Sequence, residues 1–322
     1  MNPWFADGRP VLVTGGRGFL GSHLCLRLAA MAPEGCEVVS VDNGTRDSFA
    51  ARGCETPDRL RFVTGDLRDP DAWLSEVGRP SVVIHCAALA GVSTYYLSPT
   101  LVLDVNGVGT ASLLSALEPL RPELFVNLST SEVYGPHAEG VRESDLTPIG
   151  PVSDPRWAYA ASKVFAEHLV FATQRKTGLP VVSLRPFNVY GPGQVGEGAV
   201  RNFCERAVAG EALEVTGDGS PTRAWLYLDD FTDAVFAVVG QPESWGSTYN
   251  VGNPDARAST LELATLINKL AGNPAAIELV PHPGQDVLHR WPNIDALVDS
   301  TGWRPRIGLE EGLRQTLDFW RP

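Results

Sequence analysis

Lysine is scarce in this chain: of 26 basic residues only Lys163, Lys176 and Lys269 are lysines, and the rest are arginine. Acidic residues number 38, so the net charge is −12. A chain this acidic lacks the basic footprint that nucleic acid or an anionic membrane surface requires, and neither is expected as a partner. An anionic small substrate is still allowed, because a pocket can be locally basic. The five cysteines (Cys25, Cys36, Cys54, Cys86, Cys204) are scattered, odd in number and never spaced as Cys-x-x-Cys. That argues against a disulfide framework or a zinc site, and for reduced thiols in a cytoplasmic protein. Six histidines (His23, His85, His137, His168, His282, His289) show no ligand spacing, so no metal is expected. The N-terminus carries no basic region followed by an apolar run, the pattern of a secretory leader. Ser81 to Leu103 is free of charge and long enough to cross a bilayer, but it holds His85, Gly91 and Pro99. A buried strand followed by a loop is the better reading.

The 322 residues, 43% of them hydrophobic, suffice for a sizeable core. Short β-branched runs lie at Val11–Val13, Val38–Val41, Arg61–Val63, Val82–His85, Leu124–Leu128 and Val181–Leu184. Their apolar continuity marks strands buried on both faces, as in a parallel sheet. Helical patterns alternate with them: one carries Leu20, Leu24, Leu28 and Met31 on one face, and others run over Leu101–Leu117 and Ala158–Thr173. This alternation predicts a doubly wound α/β sheet. After Arg185 the texture changes. A Gly/Pro-rich stretch over Pro186–Gly198 precedes a helix over Val200–Ala209, while Leu228–Val239 and Tyr249–Val251 read as a helix and strand returning to the sheet. Two or three helices follow Ser259, interrupted by the proline-rich segment Pro281–Pro292. The expected division is a nucleotide-binding domain of residues 1–185 with 225–252, and a smaller, interleaved C-terminal lobe of residues 186–224 with 253–322.

The run from Val11 to Gly21 places Gly15, Gly18 and Gly21 after a strand and at the opening of a helix. Such glycines allow a tight turn, close approach of a pyrophosphate and close helix–strand packing, with the helix N-terminus facing the phosphates. Asp42 ends the next strand, where a carboxylate accepts hydrogen bonds from the adenosine ribose and repels a 2′-phosphate, so NAD is favoured over NADP. Asp66, after the third strand, is placed to reach the adenine edge. Tyr159 and Lys163 stand four apart on a helix and project from one face. An ammonium beside a phenol favours the phenolate and would make Tyr159 a base usable near neutral pH. With 7 Tyr and 3 Lys in the chain, that spacing arises by chance only about 0.07 times.

Together, Thr14-Gly-Gly-Arg-Gly-Phe-Leu-Gly21, Ser129-Thr-Ser-Glu-Val-Tyr-Gly135, Tyr159-x-x-x-Lys163 and Arg185-Pro-Phe-Asn-Val-Tyr-Gly191 resemble the extended short-chain dehydrogenase/reductases that act on nucleotide sugars. The resemblance implies a Rossmann-type fold, a retained NAD that accepts hydride from sugar C4, and Thr130, Tyr159 and Lys163 as the oxidation apparatus. Carried over by position, it also implies cofactor contacts from Arg17, Phe19, Leu20, Asn43, Leu67, Ala87, Ala88, Asn106 and Ser129. Within the family, Thr130-Ser131-Glu132 and Arg156-Trp-Ala-Tyr-Ala-Ala-Ser-Lys163 resemble UDP-glucuronate decarboxylases. That implies Ser131 and Glu132 as catalytic partners that order water or the ring for protonation at C5. It also implies Tyr95 near the glucuronate, Arg223 at the carboxylate, and Asn188 and Arg290 at the diphosphate. A homodimer formed by the two long helices is implied as well. A UDP-sugar 4-epimerase and a non-catalytic NAD-sensing module remain the alternatives; the intact Tyr–Lys pair counts against the second.

Overall fold

The computed structural model describes residues 3–281 and 287–321. Seven parallel strands form the central sheet: β1 (Val11–Thr14), β2 (Val38–Asp42), β3 (Leu60–Thr64), β4 (Val82–His85), β5 (Leu124–Leu128), β6 (Val181–Pro186) and β7 (Thr248–Val251). In space they run β7-β6-β5-β4-β1-β2-β3, so the chain grows from β1 to one edge and then returns to build the other. The doubly wound sheet expected from the alternation of strands and helices is present.

Alternate strand residues face opposite sides, and both sides are dry. Val11, Val13, Val38, Val82, Ile84 and Val126 pack beneath the helices Phe19–Met31 and Leu228–Val239. Leu12, Val39, Val83, Phe125 and Val181 pack against Leu113, Leu117 and Val170 on the other face. This two-sided burial explains the unbroken apolar runs. The reversal of strand order between β1 and β4 opens a crevice at the carboxyl ends of the strands, where ligands bind in such sheets.

A second core, with Phe203, Leu213, Trp225, Leu263, Ile267, Leu313 and Leu317, forms the smaller lobe. Between the two lies a four-stranded sheet ordered Arg257–Ser259, Thr222–Ala224, His289–Pro292 and His137–Val141. Residues 282–286 of the proline-rich segment lie outside the described residues, and its end is a strand. One boundary differs from expectation: Ile294, Leu297 and Trp303, expected in the lobe, complete the core under the central sheet.

The helix expected at Leu101–Leu117 begins at Pro99 and contains a π-turn over Asp104–Val108. Pro99–Leu120 is apolar enough by length and composition to cross a membrane. It is nevertheless a helix of the folded domain, with Val102, Leu113, Leu114 and Leu117 buried.

Candidate active site

The crevice at the switch in strand order is a cleft of about 440 Å³. Its floor follows from glycine. At Gly15 (φ +69°) an added Cβ would stand 2.6 Å from the Ala87 backbone, and at Gly21 it would stand 2.2 Å from the Gly15 carbonyl oxygen. The helix Phe19–Met31 starts at Gly18 with no side-chain cap, leaving its first-turn N–H groups for an anion. At the far end, Asp42 accepts hydrogen bonds from the Arg17 N–H (3.0 Å) and the Gly44 N–H (2.8 Å), which fixes its carboxylate in the cleft wall. The Ser129 hydroxyl, buried in the same wall, has no hydrogen-bond partner among the described residues. A glycine cradle, an uncapped helix, a fixed acid and an open hydroxyl fit a dinucleotide.

Of the expected cofactor contacts, Gly15, Gly18, Phe19, Leu20, Gly21, Asp42, Asn43, Asp66, Leu67, Ala87, Ala88, Ser129, Tyr159 and Lys163 line this cleft. Asp66 does so with its carboxylate bound to the Arg68 guanidinium. Two do not line it. The Arg17 side chain turns away, paired with Asp47 and stacked 4.2 Å over the Phe62 ring, so only its N–H serves the site, through Asp42. Asn106, in the π-turn, is buried and binds the Leu89 N–H (2.8 Å), the Leu89 carbonyl (3.1 Å) and Ser162 (3.2 Å). It holds the loop after β4 in place and does not reach the cleft.

A second cleft of about 500 Å³ adjoins the first through Phe19, Leu20, Ala90, Thr130, Tyr159, Pro186 and Glu197. Thr130 lies just past β5 and caps the short helix Ser131–Tyr134 by accepting the Glu132 N–H. Its hydroxyl also bonds the Tyr159 phenol. Lys163, one turn along, donates to the Leu128 carbonyl oxygen (2.8 Å) and stands 5.9 Å from the Tyr159 ring centroid. The expected lowering of the phenol is not present. Burial first, and then the charge of Glu132, push Tyr159 above its ordinary value, and the Thr130 hydrogen bond offsets this only in part. The ammonium is itself penalised: burial lowers Lys163 to about 8, against the pull of Cys86 and Glu167.

Tyr95 is buried and stacks on Tyr159, with ring centroids 5.0 Å apart and planes 9° from parallel. Beside them Glu132 accepts two hydrogen bonds from Arg156 (2.6 and 3.1 Å) and one from Arg290 (3.1 Å). Burial works against its charge, but Arg290 and Arg156 outweigh it and hold Glu132 at about 2. Glu132 is therefore an anion at neutral pH and no proton donor there.

Arg290 is 4% exposed, lines the second cleft, and keeps Nε and Nη2 without a partner among the described residues. Asn188 and Ser131 line the same cleft. Arg223, expected at the substrate, lines neither. It sits opposite Arg290 in the strand pairing and donates to the carbonyls of Thr222 (3.1 Å) and Leu288 (3.2 Å). Arg156 was visible in the sequence only as part of a motif. Gln194, Val195 and Glu197, which line the first cleft, lie in the glycine-rich run 191–198, and that run was their only signal.

A dinucleotide cleft that opens on a Thr–Tyr–Lys set at the edge of a doubly wound sheet defines an NAD-dependent enzyme. The chain belongs to the NAD dependent epimerase/dehydratase family, whose profile matches residues 11–252. It is 31% identical over 331 residues to UDP-glucuronic acid decarboxylase 1 of Danio rerio, covering 98% of this chain and 73% of that one. It is also 31% identical over 320 residues to UDP-N-acetyl-alpha-D-glucosaminuronate decarboxylase of Bacillus cytotoxicus, covering 96% and 97%. Among solved structures, the UDP-glucose 4-epimerase of Thermus thermophilus in complex with NAD superposes with a TM-score of 0.84 at 33% identity, covering 97% of this chain and 98% of that one.

Proposed function

We propose that the protein decarboxylates UDP-glucuronic acid through a 4-keto intermediate, giving UDP-xylose or the 4-keto pentose. The observation that carries this reading is Arg290, a buried guanidinium that lines the cleft holding Tyr159 and keeps two nitrogens, Nε and Nη2, without a partner among the described residues. A uronate carboxylate is the anion such a fork suits. Both curated relatives described above are decarboxylases by name, of UDP-linked uronic acids.

NAD, when bound, supplies a reversible hydride acceptor for C4. Tyr159, as a phenolate beside the Lys163 ammonium, would take the 4-hydroxyl proton while Thr130 steadies the oxygen. Once C4 is a ketone, the C6 carboxylate is β to a carbonyl. Cleavage of the C5–C6 bond sends its electron pair to the C4 oxygen, where the Thr130 and Tyr159 hydroxyls donate; CO2 departs, and C5 takes a proton from water. Ser131 and the ionised Glu132 would order that water. The role expected of Arg223 at the carboxylate passes to Arg290, and Asn188 stays as a diphosphate contact.

A 4-epimerase remains the second reading, supported by the Thermus structure, since that reaction needs only Thr130, Tyr159 and Lys163. Mass spectrometry of the products from UDP-glucuronate decides. A UDP-pentose with trapped CO2 is expected, and UDP-galacturonate without CO2 would overturn the decarboxylase assignment. NAD-loaded protein that leaves the sugar untouched would point to the sensing module.

The same proposal includes a homodimer. Leu103 and Val108 on the helix from Pro99, with Phe165 on Ala158–Thr177, leave an exposed apolar patch on two adjacent helices. All five cysteines are unpaired, which suits a cytoplasmic enzyme.

A further inference from the structure

We infer that residues 194–197 form a strap that closes the cofactor cleft, latched by Glu197 to Ser93, and that the latch retains NAD between turnovers. The strap approaches from one side of the cleft and is tied to the other. Its incoming end is anchored near β2, where Arg52 donates to the Pro192 carbonyl (2.6 Å) and Ser48 to that of Gly193. Its outgoing end is held by Arg201, which donates to the Gly196 carbonyl (2.6 Å). Gln194 and Val195 between these anchors, and Glu197 just beyond them, line the cofactor cleft, and Glu197 lines the substrate cleft too.

The crossing contact is made by the Glu197 carboxylate, which accepts the Ser93 N–H (3.2 Å) and the Ser93 hydroxyl. Ser93 belongs to the helix Val92–Leu97, which follows the loop after β4 and carries Tyr95 onto Tyr159. Both sides are built to come close. Gly91 (φ +124°) and Gly196 (φ +81°) face the same Arg46 guanidinium, and an added Cβ would stand 3.4 Å and 3.1 Å from it, respectively. The Glu197 carboxylate lies 3.3 Å from that Gly91 position. Both glycines hold a positive φ that side chains rarely adopt, which keeps this approach free of side chains. Charge-assisted hydrogen bonds close the remaining gap and are broken without unfolding either element.

This arrangement fits a reaction in which the hydride must return to the substrate that gave it. The cofactor stays behind the strap, while the sugar exchanges through the adjoining cleft. The inference rests on NAD binding and not on which sugar is processed, so a failed decarboxylase assay leaves it standing. The test is the exchange of bound NAD for isotopically labelled NAD, followed by filtration and scintillation counting without substrate. Ser93→Ala and Glu197→Gln should each release NAD about tenfold faster than wild type, the factor expected for about 1.4 kcal/mol of lost latch. Ser93 is exposed, so its variant keeps the fold and reads the latch even if Glu197→Gln is unstable. Exchange at the wild-type rate in Ser93→Ala, or wild-type protein that loses its NAD on the first filtration, would overturn the inference.

Discussion

Tyr159 meets four influences at once. Burial and Glu132 resist its ionisation, Thr130 offers it a hydrogen bond, and Lys163 waits one turn away with its proton held at about 8. A phenol so placed stays protonated in the free enzyme, and it must shed that proton to solvent before it can take one from the 4-hydroxyl. Tyr159→Phe should therefore cut product formation by about 10²–10⁴-fold while bound NAD, measured after denaturation of the purified protein, stays stoichiometric. Glu132 makes a different prediction, one about stability. Its folded pKa of about 2 lies below the ordinary 4.5, so its contribution is complete above 4.5 and is lost as the pH falls toward 2. Glu132→Gln should melt below wild type at neutral pH, because Arg156 and Arg290 lose a buried counter-charge. Differential scanning calorimetry should find the gap between the two proteins closing across that acid window, where wild-type Glu132 itself becomes neutral.

At the scale of elements, the sequence reveals most where a periodicity or a backbone demand is local. Strand β2 and the glycines at 15, 18 and 21 could be read from neighbouring residues because burial on both faces and a tight turn each constrain a short stretch. The π-turn at Asp104–Val108 leaves no such mark: one inserted residue shifts the helix phase without changing its apolar character. Nor could spacing show that Arg156 and Arg290 converge on Glu132, or that Arg223 turns to backbone carbonyls, since the packing of distant segments decides both. The π-turn can be tested separately through Asn106. Asn106→Ala deletes hydrogen bonds at the Leu89 N–H and carbonyl and leaves them half-buried, at a cost of about 1 kcal/mol in urea unfolding. Its NAD affinity should fall as well, because Leu89 lines the cleft.

Across the whole molecule, the apolar patch on the two outer helices predicts the assembly state. Val108→Asp combined with Phe165→Glu should shift the protein from dimer to monomer in sedimentation velocity, whereas Leu146→Asp, also exposed but on a loop outside the two helices, should not. The Glu132–Arg290 pair has a consequence of another kind. Its partners are 158 positions apart, and Arg290 reaches Glu132 only after the strand His289–Pro292 slots beside His137–Val141. Synthesis runs from the N-terminus, so the strands β1 to β7 and the glycine cradle all emerge before that strand exists. Until then the sugar side lacks its second guanidinium, and the core under the central sheet lacks Ile294, Leu297 and Trp303. A chain cut short before residue 290 loses the second guanidinium of the sugar cleft together with part of the core under the central sheet.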